Sequence, residues 1–85
     1  MVKVTRGDPV SLECRIAGTP QMSVRWTKDG KELRPSRKHH LCEESNLSSV
    51  YIASSQLEDS GEYLLEVKNS VGTCSCEVML IVLGL

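Results

Sequence analysis

Apolar and polar residues alternate with a period of two along most of the chain, and no window carries a helical repeat. Val10, Leu12, Cys14 and Ile16 alternate with Ser11, Glu13 and Arg15. Met22, Val24 and Trp26 alternate with Ser23 and Arg25. Val50 and Ile52 flank Tyr51, and Tyr63, Leu65 and Val67 alternate with Glu62, Leu64 and Glu66. Cys74, Cys76, Val78, Leu80 and Val82 fall on one face of a last strand. Each run predicts a strand with one face inward. Turn chemistry separates them: Arg6-Gly7-Asp8-Pro9, Gly18-Thr19-Pro20, Asp29-Gly30, Glu44-Ser45-Asn46 and Asn69-Ser70-Val71-Gly72. Short strands at this spacing predict an all-β sandwich or barrel.

Length and charge narrow the picture. The 85 residues are one domain, residues 1–85. The net charge of −1 gives no global case for nucleic acid. Nine of the ten Lys/Arg lie between Lys3 and Lys38, and seven of the eleven acids lie from Glu43 onward. In a sandwich the two halves interleave, so this asymmetry predicts a mixed surface. The longest apolar stretch, Val78–Leu83, is strand length, so no membrane span is expected.

Cys14, then Trp26 twelve residues later, then Thr27-Lys28-Asp29-Gly30, then Leu57-Glu58-Asp59-Ser60-Gly61-Glu62-Tyr63 form a specific constellation. Over essentially the whole chain it resembles the intermediate-set immunoglobulin family. The resemblance implies a Greek-key β-sandwich starting near the family's strand A′, at Val2–Thr5, with the usual strand A absent. It also implies structural roles for Cys14, Trp26, Leu57, Asp59, Gly61, Tyr63 and Leu65. Trp26 is expected to plug the space between the sheets against Cys14, and the Tyr63 hydroxyl to bond backbone a few residues upstream. Asp59 is expected to pair with Lys38 or Arg37, and Gly61 to allow a tight entry into strand F.

One position departs from the family pattern. Extracellular members carry a second Cys two residues after the corner Tyr, bonded to the strand-B Cys, and here Leu65 stands there. The fold is therefore expected to lack the B–F disulfide and, under reducing conditions, to hold four free thiols. Such a bridge contributes roughly 4 kcal/mol, and a small secreted domain rarely forgoes it. This points to a reducing compartment and a cytoplasmic location. Val4-Thr5-Arg6-Gly7-Asp8-Pro9-Val10 and Glu62-Tyr63-Leu64-Leu65-Glu66-Val67-Lys68-Asn69 further resemble the titin-type modules of giant sarcomeric muscle proteins.

The remaining chemistry is sparse. Cys74 and Cys76 read as small apolar filler on the inward face of the last strand. The sharper reading is a redox site in which either approaches Cys14. His39, His40 and Cys42 lie close in sequence, but the Cys74-Ser75-Cys76 spacing does not suit a structural zinc knuckle, and no metal or cofactor is expected. No nucleophile motif or phosphate-cradling loop accompanies the histidines, so no enzyme is expected. Asn46-Leu47-Ser48 matches a glycosylation acceptor, relevant only to a secreted protein. Leu64, Met79 and Ile81 alternate outward on neighbouring strands and form a candidate partner face.

The resemblance implies an elastic, length-setting module in a serial array. Its partners would be neighbouring immunoglobulin domains and sarcomeric proteins, and the isolated domain would be monomeric. The alternative is an extracellular adhesion or receptor domain that binds a protein partner.

Overall fold

The computed structural model describes residues 1–16, 23–44, 47–69 and 72–84. Among the described residues there are eight strands: β1 (Val2–Thr5), β2 (Val10–Arg15), β3 (Ser23–Lys28), β4 (Lys31–Glu32), β5 (His40–Glu44), β6 (Leu47–Ile52), β7 (Gly61–Lys68) and β8 (Thr73–Leu83). They form a five-stranded sheet ordered β1-β8-β7-β3-β4 and a three-stranded sheet ordered β2-β6-β5. The expected turns at Gly18–Pro20 and Ser45–Asn46, and Met22, lie outside the described residues.

Alternation becomes burial directly. Val10, Leu12 and Cys14 of β2 are buried while Ser11, Glu13 and Arg15 are exposed. Trp26, Val50, Ile52, Tyr63, Leu65, Val67, Leu80 and Val82 complete the core with Ile16. Among the described residues the ladders are antiparallel except that of β1 with β8, which is parallel, from Val2↔Leu80 to Thr5↔Leu83.

The Asp29-Gly30 dipeptide makes the two-residue hairpin between β3 and β4, with φ of 50° and 86° at the two positions. Positive φ at both central positions is the geometry that matches strand twist in a tight hairpin. The turn at residues 6–9 places Gly7 at φ 96°, while the Asp8 carboxylate accepts from the Thr5 amide at 3.1 Å.

Two expectations about side chains are corrected here. No bridge joins β2 to β7, since Leu65 sits on β7, but the missing family cysteine does not leave Cys14 without a partner. Cys14 is bonded to Cys76 on β8, and Cys42 and Cys74 are the free cysteines. The reason lies in the register: Cys76 pairs directly with Leu65 across β7 and β8. The partner thiol has moved one strand sideways without leaving the inner face. The Cα–Cα separation from Cys14 is 6.5 Å, within bridging range. Cys74, expected inward, is exposed. It occupies the rung next to the end of the β7–β8 ladder, where the sandwich opens to solvent.

Candidate functional site

The centre of the sandwich is a plug. Trp26 on β3 is 4% exposed, and its Nε1 donates to Ser48 Oγ at 2.9 Å. An indole N–H removed from water needs such an acceptor. Ser48 is fully buried on β6 and shares the parity of Val50 and Ile52. That parity was the one sequence signal that could have singled it out. Leu65 lies opposite Trp26 in the β3–β7 ladder and is buried.

The entry to β7 is a second cluster. A 3-10 turn over Leu57–Asp59 presents the Asp59 carbonyl to the Tyr63 hydroxyl, which donates at 2.8 Å. Burial of that phenol pushes its ionisation well above the ordinary tyrosine range. The buried Asp59 carboxylate accepts from the Gln56 amide at 2.8 Å and from Lys38 Nζ at 2.9 Å. Lys38 also reaches Glu58, and these two partners raise its affinity for its proton, the Glu58 bond most strongly. Of the two bases expected near Asp59, Lys38 makes the pair. Leu57, expected among the structural residues, is 49% exposed. It opens the short turn and lies outside the core, against the Gly84 backbone.

Gly61 serves an interaction that spacing alone does not reveal. The Asp29 carboxylate accepts from the Glu62 amide at 3.0 Å, while the Asp29 amide donates to the Glu62 carbonyl at 2.9 Å. A Cβ at residue 61 would stand 2.6 Å from Asp29 Oδ2, at a backbone φ of 156°. Glycine is therefore what lets the β3–β4 turn close on β7.

The edge strand β1 supplies the third feature. The Arg6 amide donates to the Leu83 carbonyl at 2.8 Å, while the Thr5 amide turns to Asp8 instead. Strand alternation then directs the Val2 and Val4 donors to β8 and the Lys3 donor away from it. The two strands run parallel, so β1 begins beside Leu80 and the chain leaves β8 beyond Leu83, past the far end of that ladder.

The outward face of the larger sheet carries Leu64, Met79 and Ile81. Leu64 stands opposite Glu77, Met79 opposite Glu62, and Ile81 opposite Lys3. The three apolar side chains thus share a face but run diagonally between acids, with Met79 the most exposed at 39%. At the β3–β4 edge of the same sheet, Arg25 and Arg34 flank Glu32 at 3.2 and 3.4 Å beside a groove lined in part by Leu33 and Leu41. These pairs are solvent-exposed and contribute little.

The histidines and free cysteines stay apart. His40 tilts against Tyr51 on the three-stranded sheet, and Cys42 is exposed on the same strand. His39 keeps a buried Nε2 with no hydrogen-bond partner among the described residues, and desolvation lowers its affinity for a proton. Among the described residues no three His, Cys, Asp or Glu side chains converge on a metal-sized site.

The two-sheet geometry, the plug and the corner tyrosine can be set beside known proteins. The pattern of the immunoglobulin I-set domain matches residues 1–82. The chain belongs to the immunoglobulin I-set family. This family is a non-catalytic module, and the domain is not an enzyme. The I-set chain is 34% identical over 82 residues to rat (Rattus norvegicus) palladin, covering 94% of this chain and 14% of palladin. It is 33% identical over 79 residues to chicken (Gallus gallus) smooth-muscle myosin light chain kinase, covering 93% of this chain and 4% of the kinase. It therefore spans only a small part of these relatives. Among solved structures, a chimeric titin Z1Z2 superposes with a TM-score of 0.92 at 34% identity, covering 99% of this chain and 87% of that one. The twitchin kinase region of Caenorhabditis elegans superposes with a TM-score of 0.86 at 32% identity, covering 95% and 14%.

Proposed function

We propose that this I-set domain is a structural and elastic module of a sarcomeric filament protein in the cytoplasm. It sets length, resists load, and offers the Leu64, Met79 and Ile81 face to neighbouring immunoglobulin domains or other filament proteins. The observation that carries the elastic reading is the parallel β1–β8 ladder. Tension applied at the two ends of a parallel pair loads its hydrogen bonds together, in shear, whereas a hairpin pulled from one end peels them singly. The small share of palladin and of the smooth-muscle kinase that this chain covers supports a place within a much longer protein.

Single-molecule stretching of the domain tests the reading. Proline has no amide hydrogen. Val4→Pro removes a donor aimed at β8 and is expected to lower the unfolding force markedly. Lys3→Pro, whose donor faces away, is expected to change it far less. Equal forces for Val4→Pro and the parent domain would sink the clamp.

The Cys14–Cys76 bridge favours a second reading, an extracellular adhesion or receptor domain. Leu65 no longer argues for a reducing compartment, because Cys14 has another partner. The cytoplasmic reading therefore rests on the relatives. A glycan on Asn46, or a fully oxidised Cys14–Cys76 pair, in protein taken from its natural source would favour the second reading.

A further inference from the structure

The connection from β4 to β5 carries a serine among bases. Arg34-Pro35-Ser36-Arg37 are all exposed, in a segment without regular secondary structure, and Lys38 follows them. Pro35 fixes its own φ and holds Arg34 to an extended backbone. Other serines are less available. Ser11, Ser23 and Ser75 sit in paired strands, where the backbone is already committed, and Ser48 and Ser55 are buried. Ser36 is thus offered to another protein on an accessible, extended stretch of chain.

The surroundings of its hydroxyl suit an anion. The Lys38 and His39 amides both donate to Ser36 Oγ, at 3.2 and 3.1 Å. The Ser36 amide donates to the His39 carbonyl at 2.9 Å, which closes the turn. Neighbouring backbone amides that converge on one point form an anion-binding concavity. The hydroxyl is used here only as an acceptor, so its own proton is free to leave. Among the described residues Arg37 makes no hydrogen bond or ion pair. Arg34 meets only Glu32, at 3.4 Å, with its side chain 83% exposed. Two guanidinium groups therefore flank the serine and are free to meet new negative charge, while Lys38 is occupied by Glu58 and Asp59.

We propose that Ser36 is a phosphorylation site, read by a serine kinase whose substrate cleft is acidic and selects the bases on either side. Ser36 Oγ attacks the γ-phosphorus of ATP. The new Oγ–P bond forms as the bond from that phosphorus to the β,γ-bridging oxygen breaks, ADP leaves, and the hydroxyl proton passes to the kinase's catalytic carboxylate. The product places a charge of about −1.5 to −2 between Arg34 and Arg37. Its oxygens take over the Lys38 and His39 amides from Oγ. Because Lys38 stays with Asp59, the modification changes the charge of this end of the domain and leaves the entry to β7 closed. The site rests on the cytoplasmic reading only for its access to ATP.

Incubating the folded chain with magnesium ATP and the catalytic domain of protein kinase C, an arginine-directed serine kinase, tests it. Cleavage after glutamate releases residues 33–43, in which Ser36 is the only hydroxyl side chain, so mass spectrometry reads the site directly. A single phosphate in that fragment is expected, and Ser36→Ala should lose it. Arg34→Gln and Arg37→Gln should each lower kcat/KM by about tenfold or more, the size of one lost charge-assisted hydrogen bond. Both arginines are exposed, so the melting of each variant should match the parent. In the phosphorylated chain the Lys38 and His39 amide signals should move furthest in a heteronuclear NMR spectrum. An unmodified fragment, modification that is equally fast without the two arginines, or Lys38 and His39 signals that stay in place would each overturn the proposal. The reaction uses purified chain, so such a failure would remove the site and leave the cytoplasmic filament reading as it stands.

Discussion

Reducing the Cys14–Cys76 bridge should cost this domain about 4 kcal/mol. The two residues are 62 apart in sequence. In the chain-entropy model, closing a loop of that size removes about 14 cal/mol/K from the unfolded ensemble, or about 4 kcal/mol at 25 °C. A domain of this size commonly has a total stability of about 5–15 kcal/mol, so the bridge is a large share of it. Native packing should survive reduction, because the Cys14 thiol remains buried among the same neighbours. The assay is urea unfolding followed by Trp26 fluorescence, with and without reductant, on the parent and on Cys76→Ser. The parent midpoint is expected to fall on reduction, while Cys76→Ser shows a low midpoint in both conditions. Thiol titration in denaturant should count two thiols in the oxidised parent, Cys42 and Cys74, and all four after reduction. Identical midpoints for the oxidised and reduced parent, or four titrating thiols without reductant, would refute the pairing.

Other substitutions probe the remaining features. Trp26→Ala is expected to destabilise by about 3–5 kcal/mol, the range for emptying a large aromatic site; chemical denaturation measures it, and an unchanged midpoint would mean that Trp26 is not the plug. Gly61→Ala should lose on the order of 1–3 kcal/mol, because its Cβ would collide with the Asp29 carboxylate. Combining it with Asp29→Ala should relieve part of that loss, so strictly additive effects in the double-mutant cycle would refute the clash. His39 binds its proton less readily in the fold than the ordinary histidine value of 6.5, chiefly through desolvation. The unfolded chain therefore takes up more protons as pH falls through that value, and stability should decline toward acid and recover above it. His39→Gln should flatten the decline measured between about pH 7 and 5, and an unchanged slope would assign the effect to other groups.

The two-residue alternation determined most of this protein. The inward residues Leu12, Trp26, Val50, Tyr63, Leu65 and Leu80 are legible because burial on one sheet face imposes a period of two, whichever strands lie adjacent. Asp29-Gly30 fixes its own hairpin because the required positive φ is a property of those two residues. What depends on who lies beside whom could not be read in the same way. Leu65 looked like the loss of a cross-sheet bridge, yet the β7–β8 register sets Cys76 beside it and restores the bridge from the next strand. Cys74 has the same parity as Cys76 but sits near a ladder end, and parity carries no information about distance from an open end. The Gly61–Asp29 approach joins residues 32 apart in the chain and exists only because β3 and β7 are neighbours. Side-chain pattern decides which face of a strand turns inward, but hydrogen bonds in the plane of the sheet decide its neighbours, and every residue carries the same backbone groups.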